Sequence, residues 1–415
     1  MTSPLARPGR KNPLMRTRLP LLPPAHRSRV ALGMTAAAAE GRFELQRCAA
    51  CDAVQYPPRE TCHRCLSDRL HWQLVGGGGE LISHTSVLHS HDPYFRERVP
   101  WRLGLVKLDC GPVLVVHLHG DVAPAPQRLR VGAWLDRAGT AVLVGLPEKD
   151  VPNMADDRQL RELTCDPKFR KVLVTDGKTA VGQALVSALA QAGADLIWVG
   201  HSEPWKHVAG LAAVANLPQV TLLPLDVTNA RSVAETAAEI GAKVDILVNT
   251  AEFHRAQGIA SRHGTEVARA EMDVNYFGLL RLAQEFGPAM RARAADGPTS
   301  ATAWVNLLSI FALSNFPAHG TFSASKAAAL SLAQCLRAEM QPAGLRVINL
   351  FPGPIDDEWN QLLPPPKIAP AAIAKAVIAA LRDGVEDVYP GDVAEEWRAR
   401  FRDNPKVLER ELAAS

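Results

Sequence analysis

The sequence predicts an α/β chain in two parts, a four-cysteine metal ribbon with a small closed β-barrel and then a doubly wound parallel sheet. Three observations carry that prediction. Paired C-x-x-C knuckles lie near the start, several helix-free apolar runs follow them, and from Lys171 onward strands alternate with helices. At 415 residues the chain is too long for one ordinary domain and sufficient for two, each with its own core.

Residues 1–40 carry Arg7, Arg10, Lys11, Arg16, Arg18, Arg27 and Arg29, with no acid before Glu40. Such a segment could be an organelle-targeting peptide, but its prolines disfavour the amphipathic helix those peptides form. It reads instead as a basic, proline-rich arm, flexible or partner-docking. Residues 41–74 hold Cys48-Ala49-Ala50-Cys51 and Cys62-His63-Arg64-Cys65, two knuckles separated by ten residues. That spacing lets two tight turns present four thiolates to one zinc ion. A closed four-thiolate site leaves no position for water, so the zinc is structural, and His63 is surplus to it. The lone cysteines Cys110, Cys165 and Cys335 read as inert packing residues.

Residues 75–147 follow the flexible run Gly76 to Gly79. Alternating, β-branched stretches at Glu80 to Leu88, Leu103 to Asp109, Pro112 to His119 and Thr140 to Leu146 suggest a small closed barrel. His84, His89, His91, His117 and His119 are spread over separate strands and loops, which favours solvent-facing or hydrogen-bonded roles over a second metal site. Residues 148–170 are polar and read as a linker. Residues 171–415 repeat βαβ units, ending in a charged helical stretch from about Ala394 to Leu412 with a break at Pro405.

Composition narrows the function. A 47% hydrophobic and 21% charged chain with a net charge of +3 is an ordinary globular one, with nothing to demand a nucleic-acid partner. No stretch reaches the roughly 18 to 20 apolar residues of a membrane span, so a soluble, cytoplasmic protein without a membrane partner is expected.

The segment from Phe43 to Leu146, with "LQRCAACDAVQYPPRETCHRCLSDRLHW" followed by "GGGGELISHTSVLH", resembles the rubredoxin-like zinc-ribbon/OB-fold family that binds acyl-CoA. The resemblance implies a companion of a thiolase-superfamily enzyme that helps hold an acyl-CoA. Arg59, Arg98, Arg102, Arg128 and Arg130 are candidates for the phosphates, since a guanidinium pairs bidentately with phosphate.

Residues 171 to about 412 resemble the short-chain dehydrogenase/reductase family, which implies a Rossmann fold. Of the family's catalytic Asn, Ser, Tyr and Lys, this sequence matches Asn275 in "MDVNYFG", Ser309 in "VNLLS" and Lys326 in "FSASK". The tyrosine position is Phe322, four residues before Lys326. A phenyl ring has no proton to transfer, and losing a general acid/base costs about 10²- to 10⁴-fold. No other tyrosine stands in a register to replace it.

The cofactor motifs are altered as well. The glycine loop aligns with Thr175-Asp176-Gly177-Lys178-Thr179-Ala180-Val181-Gly182, keeping only the last of three glycines. Asp226 and Val227 match the adenine-contacting pair. The N-N-A-G segment reads Asn249-Thr250-Ala251-Glu252, and Asp357 stands where a threonine usually touches the nicotinamide end. Three acids therefore surround the expected dinucleotide, and a like charge at about 5 Å costs roughly 3 kcal/mol at an effective dielectric of about 20.

The resulting expectation is a non-catalytic accessory subunit with NAD(P) binding unlikely. Its ribbon/OB part binds acyl-CoA or docks a thiolase-type enzyme, and its dehydrogenase-like part pairs with an active short-chain dehydrogenase or with itself. The alternatives are an NAD(P)-dependent 3-hydroxyacyl-CoA dehydrogenase with a fused CoA-binding module, and a pure scaffold.

Overall fold

The structure is a computed structural model that describes residues 1–9, 19–25, 28–256, 258–260, 263–361 and 363–414. It forms two units, one built chiefly on residues 20–166 and one on residues 167–381 and 386–415.

In the first unit, β1 (Glu44–Cys48), β2 (Val54–Gln55) and β3 (Leu70–Leu74) make a small antiparallel sheet in the order β2-β1-β3. Next come β4 (Gly78–Val87), β5 (Trp101–Leu108), β6 (Val113–Leu118), β7 (Gln127–Leu135) and β8 (Ala141–Pro147), which close into a barrel in the order β4-β5-β6-β8-β7. Inward residues alternate along the strands, as in Val106 and Leu108 of β5 and Leu114, Val116 and Leu118 of β6, all buried. The sequence reading counts four barrel strands, and the structure adds β7. Leu129 and Val131 of β7 face the core and Arg128 and Arg130 do not, but the run follows a proline-rich stretch and is broken at Gly132.

Two further expectations are corrected. Part of the supposed arm is folded: Leu32–Ala39 is a helix whose Met34 and Ala38 join the barrel core. At Gly33 an added Cβ would lie 2.1 Å from the Trp72 ring, so this helix crosses β3 at a distance only glycine permits. Arg10, Lys11, Arg16, Arg18 and Arg27 lie outside the described residues. The supposed linker is also structured. Asp157 caps the short helix Arg158–Arg161 by accepting from the Gln159 and Leu160 N–H groups, and Leu160 and Leu163 pack on Val144 and Leu146.

The second unit is one parallel sheet. It contains β9 (Lys171–Val174), β10 (Leu196–His201), β11 (Val220–Pro224), β12 (Ile246–Asn249), β13 (Ala303–Leu307), β14 (Arg346–Leu350) and β15 (Asp387–Val388), in the order β11-β10-β9-β12-β13-β14-β15. The strand order reverses between β9 and β12, where open α/β sheets place their ligands beyond the strand ends. Leu173, Leu247, Trp304 and Val347 form the sheet side of the core, and Leu282, Phe286 and Ala333 the helix side. The charged C-terminal stretch is two helices, Asp392–Asp403 and Pro405–Ala414, divided at the proline.

At the opposite end of the strands, Asp245 ties the sheet together. It accepts from the Lys171 N–H at 2.9 Å and from Arg293 at 2.6 Å, while the same guanidinium reaches the carbonyls of Val244 and Thr299. Arg293→Met leaves this carboxylate buried without its counter-charge, and should cost about 3–5 kcal/mol in urea unfolding.

Candidate functional site

Each knuckle turns back on itself in the same way. The Asp52 N–H donates to the Cys48 carbonyl and the Leu66 N–H to the Cys62 carbonyl, with Asp52 and Leu66 both in the left-handed region at φ of 63° and 60°. The four sulfur atoms lie within 4.8 Å of one another, and Cys48–Cys65 and Cys51–Cys62 are each 3.6 Å apart. A tetrahedron of Zn–S bonds near 2.3 Å has edges of about 3.8 Å, so this set fits zinc. Backbone N–H groups of Arg64 and Cys65 lower the Cys62 thiol to about 6. The Ala53 N–H favours the Cys51 thiolate, but burial and the other three sulfurs push Cys51 up to about 12. Four thiolates in this space need a cation. His63 takes no part, its ring bonding to Gln55 at 3.2 Å.

Beside the ribbon is a cleft of about 570 Å³ lined by Gln55, Tyr56, Arg59, His63, Arg64 and Val113. Tyr56 also lines a groove of about 330 Å³, where Met34, Leu103, Val115, Val142 and Leu143 stand beside Ser28 and His117. The first cavity carries Arg59, His63 and Arg64, and the second is walled mainly by aliphatic residues with some polar ones among them. The outer barrel face next to them exposes Leu105, Val113 and Val115, with Leu105 and Val115 paired across β5 and β6.

Of the arginines singled out for phosphate, four have partners within the chain, Arg128 and Arg130 in solvent-exposed pairs. Arg98 pairs with Glu162, Arg102 donates to the carbonyls of His119, Gly120 and Val122, Arg128 pairs with Asp109, and Arg130 with Asp150. Arg59 and Arg64 are exposed on the cleft. The barrel histidines are hydrogen-bonded or exposed. His117 accepts from Trp101 Nε1 and His119 contacts the Met154 carbonyl, whereas His84, His89 and His91 face solvent.

In the second unit the structure gathers the residues that match the family's catalytic set, and each member is engaged. Asn275 lies in a π-helical stretch, Asp273–Gly278, between two helices. Its amide clamps Phe253 through both backbone groups, at 3.1 and 2.9 Å, and donates to Ser325. Ser309 at the end of β13 accepts from the Phe311 N–H. Phe322 is buried against His254, with ring centroids 4.9 Å apart. Lys326 is 2% exposed and donates to the Leu307 carbonyl at 3.0 Å and to Glu252 at 2.7 Å.

Glu252 is therefore not the lone repelling charge the sequence suggests. It binds Lys326 with one oxygen and stands 3.3 Å from His254 Nδ1 with the other. Burial pushes its carboxyl up, but Lys326 and then His254 outweigh burial and hold it at about 2. Asp357 is engaged in a local turn, accepting from the N–H groups of Trp359 and Asn360. Asp176 accepts from the Lys178 N–H, and burial pushes its carboxyl up.

The loop after β9 is closed on itself as well. Thr175 Oγ1 donates to Asn249 and accepts from the Thr250 and Ala251 N–H groups. Thr179 caps the helix Ala180–Gln191 by accepting from Gly182, the Gly177 N–H binds the Gly200 carbonyl, and Asp226 serves the turn at Thr228. Val227 is buried. One pocket at this end of the sheet, lined by Thr179, Val181, Thr250, Glu252, His254 and Asp357, has a volume of about 20 Å³. That is room for about one water, whereas ligand pockets run to about 300–1,000 Å³.

Two residues here carry no motif, His254 and His319. Both are buried, with His254 Nε2 and both nitrogens of His319 lacking a hydrogen-bond partner among the described residues. His319 packs among Phe311, Phe316 and Phe322. Only its place three residues before Phe322 could have drawn attention to it.

These features define a zinc-ribbon and barrel module joined to a Rossmann-type dehydrogenase domain. The family models agree. The short chain dehydrogenase model matches residues 170–366, the rubredoxin-like zinc ribbon domain of ChsH2 matches 35–71, and the C-terminal OB-fold domain of ChsH2 matches 72–138. Short-chain dehydrogenase PC-15 of Penicillium crustosum is 31% identical over 209 residues, 47% of this chain and 70% of that protein. Dehydrogenase/reductase SDR family member 7B of Mus musculus is 29% identical over 190 residues, 44% of this chain and 56% of that one. A solved short chain dehydrogenase from Burkholderia cenocepacia J2315 in complex with NADP is 35% identical at a TM-score of 0.54, covering 60% of this chain and 98% of that one. The chain belongs to the short-chain dehydrogenase family, as a fusion carrying the ChsH2-type zinc ribbon and OB-fold at its N-terminal side. Among the described residues no helix is long and apolar enough to cross a membrane.

Purified protein should hold one zinc per chain by elemental analysis, and Cys62→Ser should weaken zinc binding by more than about a hundredfold. The buried acid and histidine also set a pH dependence. Burial, with His254 adding to it, lowers His319 from 6.5 to about 4, so its share of stability is full above pH 6.5 and falls as pH drops toward 4. Glu252, lowered from 4.5 to about 2, contributes above pH 4.5 and loses its share between pH 4.5 and 2. Urea midpoints of the second unit should therefore fall from pH 7 to pH 4, and His319→Phe should flatten the upper part of that fall.

Proposed function

We propose that this chain is a non-catalytic accessory subunit of an acyl-CoA-processing assembly. The observation that carries the acyl-CoA assignment is that Tyr56 lines two cavities, one carrying Arg59, His63 and Arg64 and the other walled mainly by aliphatic side chains. Arg59, His63 and Arg64 suit the phosphates of a coenzyme A, and the groove walled by Met34, Leu103 and Leu143 suits an acyl chain. The exposed apolar face at Leu105, Val113 and Val115 is the surface on which a thiolase-superfamily enzyme docks. The second unit contributes packing surface, pairing with an active short-chain dehydrogenase or with a second copy through the helices around Glu266–Met272 and Gly320–Met340.

The loss of dehydrogenase activity is supported by two features. Phe322 has no proton to give, and Lys326 is bound by Glu252 beside a pocket of only about 20 Å³. A second reading, an NAD(P)-dependent 3-hydroxyacyl-CoA dehydrogenase with its own CoA module, draws on the 35% identical relative crystallised with NADP.

Titration with NADH and NADPH separates the two. The accessory reading expects no saturation below about 1 mM, and micromolar binding with alcohol oxidation overturns it. Calorimetry with a medium-chain acyl-CoA should give binding that Arg59→Ala/Arg64→Ala weakens about tenfold or more. Purification from cells expressing the neighbouring genes should recover a thiolase-type enzyme or an active dehydrogenase; recovery of neither defeats the partnership.

A further inference from the structure

We propose that Glu252 is an internal plug, a carboxylate that takes the cationic end of Lys326 for itself and so holds shut a dinucleotide cleft the fold still contains. The inference rests on the reading that the unaltered chain binds no nicotinamide dinucleotide, and goes beyond it by naming the group responsible.

The sheet still reverses its strand order between β9 and β12, so the crevice is where the fold puts it. What fills it comes from the segment after β12. Glu252 follows β12 by three residues and bridges to Lys326 on the helix Gly320–Met340 at 2.7 Å. The pair is deeply buried, at 14% and 2% side-chain exposure, which makes it expensive to separate and able to fix the backbone on either side. His254 is held by the second oxygen of Glu252 and lies over Phe322, so one carboxylate places two side chains in the cleft.

The same segment is held again at Arg255. The Arg255 guanidinium is sandwiched between Phe253 and Trp359, 4.5 and 4.3 Å from their ring centroids. The Phe253 backbone is clamped by Asn275, so the whole run from Glu252 to Arg255 is pinned from behind. The Arg255 N–H also donates to the buried Glu271 at 2.9 Å, and Glu252 is the anchor of this run that reaches Lys326. An ammonium freed from that anchor, at the end of a crevice with a helix N-terminus on the other side, is an arrangement suited to an anionic ligand.

The test is NADPH binding to the full chain, read by energy transfer from tryptophan and by calorimetry. Glycines are placed at Asp176 and Ala180 to open the phosphate loop, and this background is compared with the same chain also carrying Glu252→Gly or the isosteric Glu252→Gln. Zinc content and thermal unfolding report folding, and the glutamine variant answers should the glycine variant not fold. Either Glu252 variant should bind NADPH at least about tenfold tighter than the background, and adding Lys326→Ala should abolish the gain. Equal binding by the background alone, or no gain from either folded Glu252 variant, overturns the plug and leaves the accessory reading intact. Micromolar binding by the unaltered chain overturns both.

Discussion

The second unit is organised around one ion pair. Lys326 and Glu252 meet in a place where neither charge could remain alone, since an uncompensated charge at that depth costs several kcal/mol. Once they pair, much else follows. The loop after β12 must come inward to deliver the carboxylate, His254 is drawn onto the Phe322 ring, and the Phe253 backbone reaches the Asn275 amide. A catalytic lysine needs its ammonium available to a ligand, and here the protein itself occupies it.

The same demand for partners explains why three of four catalytic-type residues persist beside a phenylalanine. Asn275 satisfies both backbone groups of Phe253 and bonds to Ser325 at 2.8 Å, Ser309 caps the turn at Phe311, and Lys326 bonds the Leu307 carbonyl. Each would leave a buried polar group unsatisfied if removed. Their retention is accounted for by folding, and so weighs little in favour of catalysis. Phe322 has no polar group to place. At its position an aromatic ring suffices to pack among Phe311, His254 and His319.

How much of this the sequence discloses depends on the range of each interaction. The zinc site is legible because its four ligands lie within eighteen residues and the knuckle turn is local. The parallel sheet is legible because each βαβ unit repeats its own pattern. Arg98, Arg102, Arg128 and Arg130 look alike as candidates until their partners at Glu162, the His119 carbonyl, Asp109 and Asp150 come from elsewhere in the chain. The helix Leu32–Ala39 is hidden in an alanine run with little amphipathic signal, and its burial depends on Trp72 lying against Gly33. Glu252 is the clearest case. The motif shows an acid in the wrong place, but whether that acid repels a phosphate or neutralises a lysine 74 positions on is decided only in three dimensions.

That distinction changes how the acid would act on an anionic ligand. A repelling acid weakens a site gradually and salt would screen it, whereas a buried pair competes with the ligand for the same cation and is hardly screened. Three acids stand near the crevice, and the structure deals with each differently. Asp357 is consumed by its own turn, Asp176 by the Lys178 N–H, and Glu252 alone reaches across to another element. The first two could change without moving any other part of the fold. Glu252 could not, because one carboxylate holds both Lys326 and His254.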